Sequence, residues 1–427
     1  MSLVTSSRPN PDASSGRHRH RHRQAAAGPQ QLPAASGHGH GHGDVAPASR
    51  RVRILLTALL VPFVLASLIG VALTWPGSQP ETRGADLGFG QRPVPGEVTA
   101  ATPSPCSAGS TQRHKCVALS IRLDDGAASG STIRQILPDE PSTPEFATGD
   151  RVVLAYAGGD PTEDSAYQLR DFQRGAPLAW LAVLFAAAVL LLGRWKGLAS
   201  LAALGFSFVV LIGYVLPAIL AGSDPVTVGV LGAGVIMFGT LYLAHGVSAQ
   251  TSTAVLGTLL SLGLIMVLGR AFTGATRMTG LGPDTQDLVG VLGTGIDARG
   301  LLLAGVIIGA LGVLDDVTVT QTSAVWELRR ASPDLATRQL YAAALRIGRD
   351  HISSAVNTLA LAYAGAALPL LLAYSVAGQT FGTLITAQEV AQEVVRTLVG
   401  SIGLVAAVPI TTAIAALVAR RDTAATH

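Results

Sequence analysis

Eight stretches of this chain are apolar for long enough to cross a bilayer, and that repetition decides its fold class. A hydrocarbon core about 30 Å thick takes roughly 20 helical residues at about 1.5 Å each. The runs Ile54–Trp75, then about 177–193, 198–220, 226–245, 254–272, 300–319, 355–376 and 397–418 approach or exceed that length. Lipid offers no partner to an unpaired backbone group, so such runs must be helices. Charged residues are only 13% of the 427, against roughly 25% in soluble domains. The chain has 48 glycines and 5% aromatics, which suits helices held together through small residues. The expected fold is an all-α polytopic membrane bundle of about eight transmembrane helices, with the lipid bilayer as its first partner. A net charge of +3 gives no ground for nucleic acid.

Residues 1–50 carry two low-complexity repeats, Arg17-His-Arg-His-Arg-His-Arg and Gly37-His-Gly-His-Gly-His-Gly. Such a tract cannot bury a core. Its imidazoles at His18, His20, His22, His38, His40 and His42 offer loose ligands to Zn²⁺ or Ni²⁺; the plainer reading, which we prefer, is a solvated basic tail near anionic lipid. Residues 51–75 then form the first membrane helix. Its apolar run is too long for a cleaved signal peptide, so it is read as retained.

Residues 76–175 are polar and rich in Pro, Gly and Ser. Within them Val117–Leu123 alternates apolar and polar residues, as a half-buried strand does, and the turn Gly149-Asp150 feeds a second strand, Arg151–Tyr156. With a few more short strands this is a small β-barrel-like domain inserted after the first helix. The only two cysteines, Cys106 and Cys116, fall inside it. Outside the cytoplasm they would form a disulfide; inside, they would be two free thiols.

Residues 176–420 form a seven-helix membrane domain, and 421–427 a short tail. Arg194, Lys196, Arg329, Arg330, Arg338, Arg346, Arg349, Arg420 and Arg421 collect on one side, against Arg270, Arg277, Arg299 and Arg396 in short loops on the other. The positive-inside rule then places both termini in the cytoplasm of a cell membrane, and the β-domain outside. Residues 324–350 read as an amphipathic helix on the cytoplasmic face. Leu288–Ile296 is too short to span; of the two readings, a re-entrant half-helix and a surface loop dipping toward the lipid, we prefer the loop.

Function is most legible at 301–323, where an apolar helix pattern runs straight into Asp315 and Asp316, followed by Thr318, Thr320, Gln321, Thr322 and Ser323. Counted from Gly300, the aspartates lie about 22–24 Å along a helix crossing a core of about 30 Å. A charge at such depth costs about 2.5–3.5 kcal/mol and marks a functional site by default. Other polar groups converge on the same half of the bilayer. They are His245 and Gln250, then Asp350, Ser354 and Asn357 on one helical face beside His351 and Thr358, then Thr411 and Thr412 beside Pro409, which is expected to break the last span and leave a carbonyl for those threonines to satisfy. Adjacent aspartates point about 100° apart on a helix, so they cannot share a proton as a protease dyad does; one is free to pair with Arg346 or Arg349. The competing structural reading ends one helix at Asp316 and Thr318 and starts another at the membrane surface.

An echo at an offset of 71 residues matches Ala233-Gly-Val-Ile236 with Ala304-Gly-Val-Ile307, and Gln250-Thr-Ser252 with Gln321-Thr-Ser323. Internal repeats of this kind belong to transporter folds, although Gly/Ala/Val-rich helices share residues easily. No Walker A loop, Gly-x-Ser-x-Gly, His-Glu-x-x-His or Cys-x-x-Cys is present, so we expect no enzyme and no cofactor. Gly312-Val-Leu-Asp-Asp-Val-Thr-Val-Thr-Gln-Thr-Ser323 running into Val325-Trp-Glu-Leu328, with His245-Gly246, Gln250-Thr251-Ser252, Gly348-Arg-Asp-His351 and Asn357-Thr358, resembles the YibE/F-like family of bacterial multi-span membrane proteins over roughly residues 150–420. The resemblance implies a polytopic inner-membrane protein with an extracytoplasmic segment after its first helix, and leaves mechanism open. The expected function is transport of an unknown small solute or ion through the buried polar site. The alternative is a non-transporting scaffold or envelope sensor whose residues 76–175 bind an envelope protein.

Overall fold

The computed structural model describes residues 49–77, 91–106, 115–282, 297–378 and 380–423. The histidine-bearing tail and the run Leu288–Ile296 lie outside the described residues.

The first helix, α1 (Arg50–Leu73), starts where the Ser49 hydroxyl accepts from the Val52 amide at 3.4 Å. Five antiparallel strands follow: β1 (Arg92–Pro105), β2 (Lys115–Leu123), β3 (Thr132–Pro138), β4 (Arg151–Tyr156) and β5 (Tyr167–Phe172), in the order β3-β2-β1-β4-β5. Alternation drives the sheet: Val98, Ile121 and Leu154 point to one face and are fully buried. β1 lies between two partners yet holds Pro93, Pro95, Pro103 and Pro105. Its first half pairs only with β4 and its second half only with β2, the two ladders overlapping at Gly96 and Glu97. Each proline therefore sits where one side needs no ladder amide. Gly96 is required at the crossing, since a Cβ there would stand 2.9 Å from the Arg122 carbonyl.

The sheet curls until its edges meet through side chains. Gln135 on β3 donates to the carbonyls of Asp164 and Tyr167 at 2.9 and 3.1 Å, and the Arg134 amide donates to Asp164 Oδ1 at 2.7 Å. No strand ladder closes the barrel among the described residues. Cys106 and Cys116, at the far ends of β1 and β2, form a disulfide with Cα atoms 5.1 Å apart. It closes a loop with a sequence separation of 10, which is worth about 3 kcal/mol of lost unfolded-state freedom. The C106S/C116S variant should accelerate amide exchange in β1 and β2 by about 100-fold where exchange runs through opening of the sheet, as read by hydrogen-exchange mass spectrometry. At the end of the sheet Arg174 donates to Asp171, and that bond, followed by the Phe172 amide, holds the Asp171 carboxyl below its ordinary range.

The remaining helices are α2 (Gly175–Val210), which passes through a π-turn at Leu211–Val215 into α3 (Leu216–Leu220), then α4 (Pro225–His245), α5 (Ala249–Ala275), α6 (Ala298–Ala331), α7 (Thr337–Ala366), α8 (Leu368–Val376), α9 (Phe381–Thr386) and α10 (Gln388–Thr423). Among the described residues six helical segments are long and apolar enough to cross a membrane, or seven if α7 and α8, bent by 57°, count as one span. The eight expected spans differ from that number because Gly175–Leu220 is one 46-residue segment, about 69 Å long at 1.5 Å per residue. It is broken at Arg194, whose φ is 50°, and Gly197 packs directly on the Val189 backbone.

Three expectations need correction. Residues 324–350 are not one surface helix: α6 runs on to Ala331, and α7 starts at Thr337 after a short turn. Arg329 holds that turn, its Nη1 donating to the carbonyls of Pro333 and Leu335 at 2.8 and 2.9 Å. The amphipathic period belongs to α7, which buries Leu340, Ala344 and Gly348. Arg396, expected in a loop, lies two turns inside α10. Pro409 does not break α10, which runs on to Thr423, and the threonines do not satisfy the carbonyl it frees, that of Val405: the Thr412 hydroxyl bonds the Val408 carbonyl at 2.6 Å, while Thr411 Oγ1 is buried without a partner.

Candidate polar site on α6

α6 runs unbroken through Asp315 and Asp316, which removes the reading in which these residues cap a helix end. Asp316 is 18 residues, about 27 Å, along the helix from Ala298. Since neighbours on a helix point about 100° apart, the two carboxylates enter different surroundings.

Asp315 turns toward α4 and is half-buried. Its Oδ2 accepts from the Thr240 hydroxyl at 3.3 Å, and its Oδ1 is buried with no partner. α4 and α6 lie side by side in the same direction, Gly229 packing on Ala304 and Pro225 lying near Gly300. α5 completes this side with hydroxyl and amide contacts. Thr258 and Thr318, both fully buried, bond at 2.9 Å, and Gln250 Nε2 donates to Ser323 Oγ at 2.7 Å. The two Gln-Thr-Ser clusters therefore touch each other. The first breaks away after Gly246, whose φ is +73°, while the second continues within a helix.

Asp316 turns the other way, into a cleft between α6, α7 and α10 of about 420 Å³. Thr320 and Gln321 share its α6 wall; His351, Ser354 and Thr358 project from α7; Val408 closes it from α10. Gln321 is held by donating Nε2 to the Ala344 carbonyl at 2.9 Å, and its Oε1 fills the space above Gly348. On α6 the positions Gly305, Gly309, Gly312, Asp316 and Thr320 recur every three or four residues, so one stripe of the helix presents them all. All five are exposed.

The polar groups expected to converge thus fall into two sets, and some belong to neither. His245 ends α4 on an exposed turn, while Asp350 and Asn357 are exposed on α7 outside the cleft lining. Helical spacing put Asp350, Ser354 and Asn357 on one face, and only Ser354 reaches the cleft. Neither Arg346 nor Arg349 forms an ion pair with an aspartate among the described residues. Thr240 and Thr258 were missed. Each is a threonine in an apolar run, and nothing local marks a partner 60 or 75 positions away. Among the described residues no three His, Cys, Asp or Glu side chains gather to hold a metal ion.

A family model described as YibE/F-like protein matches residues 181–421, more than half of the 427-residue chain. No curated protein and no solved structure matches.

Proposed function

The chain belongs to the YibE/F-like family, and we propose that it is an ion-coupled permease whose path follows the cleft between α6, α7 and α10. One observation carries this reading: a carboxylate, Asp316, lines an open cleft of about 420 Å³ midway along an apolar helix, together with His351, Thr320 and Thr358. A space of that size holds roughly a dozen waters at about 30 Å³ each, enough for a hydrated ion or a small solute. Intramembrane carboxylates beside hydroxyls and imidazoles mark proton and ion paths.

Asp315 supports coupling. Its unpartnered Oδ1 is buried, and burying an ionised oxygen without a partner is costly, so a proton or a cation belongs there. The contact between the two Gln-Thr-Ser clusters, Gln250 with Ser323, supports the internal repeat, and Asp315, against Thr240 of α4, lies at the interface of its two copies, across α6 from the cleft. Counting the arms on either side of Arg194 separately, and α7 with α8 as one span, gives eight crossings. Both termini are then cytoplasmic and the β-domain extracytoplasmic, where its disulfide would persist.

The test is flux in proteoliposomes under a K⁺/valinomycin potential, with protons read by a trapped pH dye and Na⁺ by radiolabel. Asp316→Asn should slow the conducted ion at least tenfold at equal incorporation, and Asp316→Glu should retain most of the rate. The reading falls if the D315N/D316N protein conducts at the parental rate, or if the parental protein carries neither ion faster than empty vesicles do.

A second reading, envelope sensing through the β-domain, is supported by a cleft of about 310 Å³ there, lined by Val117, Leu137 and Phe146 with Asp139 and Glu145 beside them. Loss of cellular function on deleting residues 80–175, together with a neutral D316N, would favour it.

A further inference from the structure

The stripe that lines the cleft does not stop at Gly312. Two turns nearer Ala298 it passes beneath a cluster on α7 and α10 that the sequence did not single out. A Cβ at Gly309 would stand 3.0 Å from the Tyr363 hydroxyl, and one at Gly305 would stand 4.0 Å from Arg396 Nη2. The Arg396 guanidinium lies 5.9 Å from the centre of the Tyr363 ring, and its Nη1 donates to Glu393 at 2.8 Å. The rest of its hydrogen-bonding capacity is unused. Arg396 Nε is buried without an acceptor, and so is Nε2 of Gln392, one turn earlier on α10. Among the described residues neither Arg396 Nη2 nor the Tyr363 hydroxyl has a hydrogen-bond partner.

Buried donors in native structures almost always find acceptors, and here two, Arg396 Nε and Gln392 Nε2, are left open about one turn apart on α10. The Nε–Nη2 edge of a guanidinium is the edge that a carboxylate or phosphate engages with two parallel bonds. Neither Gly305 nor Gly309 carries a side chain on this side of α6: the Tyr363 hydroxyl packs over Gly309, and only Arg396 Nη2 comes near Gly305. The ion pair with Glu393 occupies the opposite edge and holds the fork in place.

We propose that Arg396, Tyr363 and Gln392 form a binding site for an oxyanion group, a carboxylate or a phosphate, at the Ala298 end of the groove. The donors alone carry the site. Its meaning as the place where an anionic solute meets the path rests on the permease reading above. The oxyanion comes either from a dissolved anion or from the headgroup of an anionic lipid; both present the same oxygens to the same donors.

The experiment measures the melting temperature of the full-length protein. One arm titrates sodium phosphate and sodium acetate in detergent at fixed ionic strength against NaCl. The other compares nanodiscs of phosphatidylcholine with and without phosphatidylglycerol. A saturable upward shift in the first arm identifies a dissolved anion, and a shift in the second alone identifies a headgroup. Either shift should vanish in Arg396→Gln, weaken at least threefold in apparent affinity in Tyr363→Phe, and survive in Asp316→Asn. Should Arg396→Gln not fold, Tyr363→Phe and Gln392→Leu carry the test, each expected to weaken binding. The proposal is overturned if neither arm shifts, or if the shift persists undiminished in the variants that fold. Binding with no ion flux would sink the permease and leave this site standing; flux without binding would do the reverse.

Discussion

Phenylalanine at Gly312 should stop conduction while leaving the protein folded. A Cβ at Gly312 meets nothing within 4 Å, because the residue faces the cleft directly between Gly309 and Asp316. The backbone therefore accepts a side chain, and a helix interior gains up to about 0.5 kcal/mol when glycine is replaced. The ring would occupy the space between α6 and α7 that His351, Ser354 and Thr358 now line. Conducted flux in the proteoliposome assay should fall at least tenfold, with an unchanged elution profile in size exclusion. Gly263 on α5 also has open space around it and lies outside the cleft lining, so Gly263→Phe serves as the control that leaves flux intact. Full flux in Gly312→Phe would move the path elsewhere.

That separation of folding from function rests on a feature half legible in the sequence. The adjacency of Asp315 and Asp316 on a helix dictates that they face different neighbours, and one does lie against α4 while the other opens to the cleft. What the neighbours are is a matter of tertiary packing. Periodicity assigns Ser354 and Asn357 to one face of α7 but not the element that face meets, and a rotation of a few tens of degrees leaves Asn357 outside. The amphipathic pattern after residue 324 was legible as a pattern. Its apolar side suits a lipid surface as well as a protein one, because nothing local shows that Leu340 and Ala344 pack on protein. In the β-domain, Val117–Leu123 announces itself by alternation. β1 hides behind four prolines, which usually deny a strand and here sit only where one side is unpaired. Arg396 looked like a loop residue because charge normally ends a span; a partner three residues away, Glu393, lets it stay inside α10. The apolar runs themselves were read directly, since a bilayer leaves the backbone no choice but helix.

The opposite outcome is expected at Gly257, where a large side chain should abolish folding. α5 and α10 approach through two glycines that face each other's bulk: Gly257 of α5 lies against Thr411 of α10, and Gly403 of α10 lies against Ile265 of α5. A Cβ at Gly257 would run into the Thr411 hydroxyl, with Thr411 Cβ and Cγ2 at 3.0 and 3.1 Å behind it. Lipid supplies no hydrophobic drive, so helices in a membrane gain their attraction from such close contact. Overpacking costs about 1–3 kcal/mol where neighbours yield, and here Thr258, next in sequence, is tied to Thr318 on α6 and resists displacement. Gly257→Leu should therefore remove the monodisperse peak in fluorescence-detected size exclusion. Gly257→Ala should lower the melting temperature by an amount matching about 2 kcal/mol. Thr411 Oγ1 is buried without a hydrogen-bond partner, so Thr411→Ala gives up no bond, and G257A/T411A should recover most of the loss. If the double variant is no more stable than Gly257→Ala alone, the α5–α10 contact is not what limits the site.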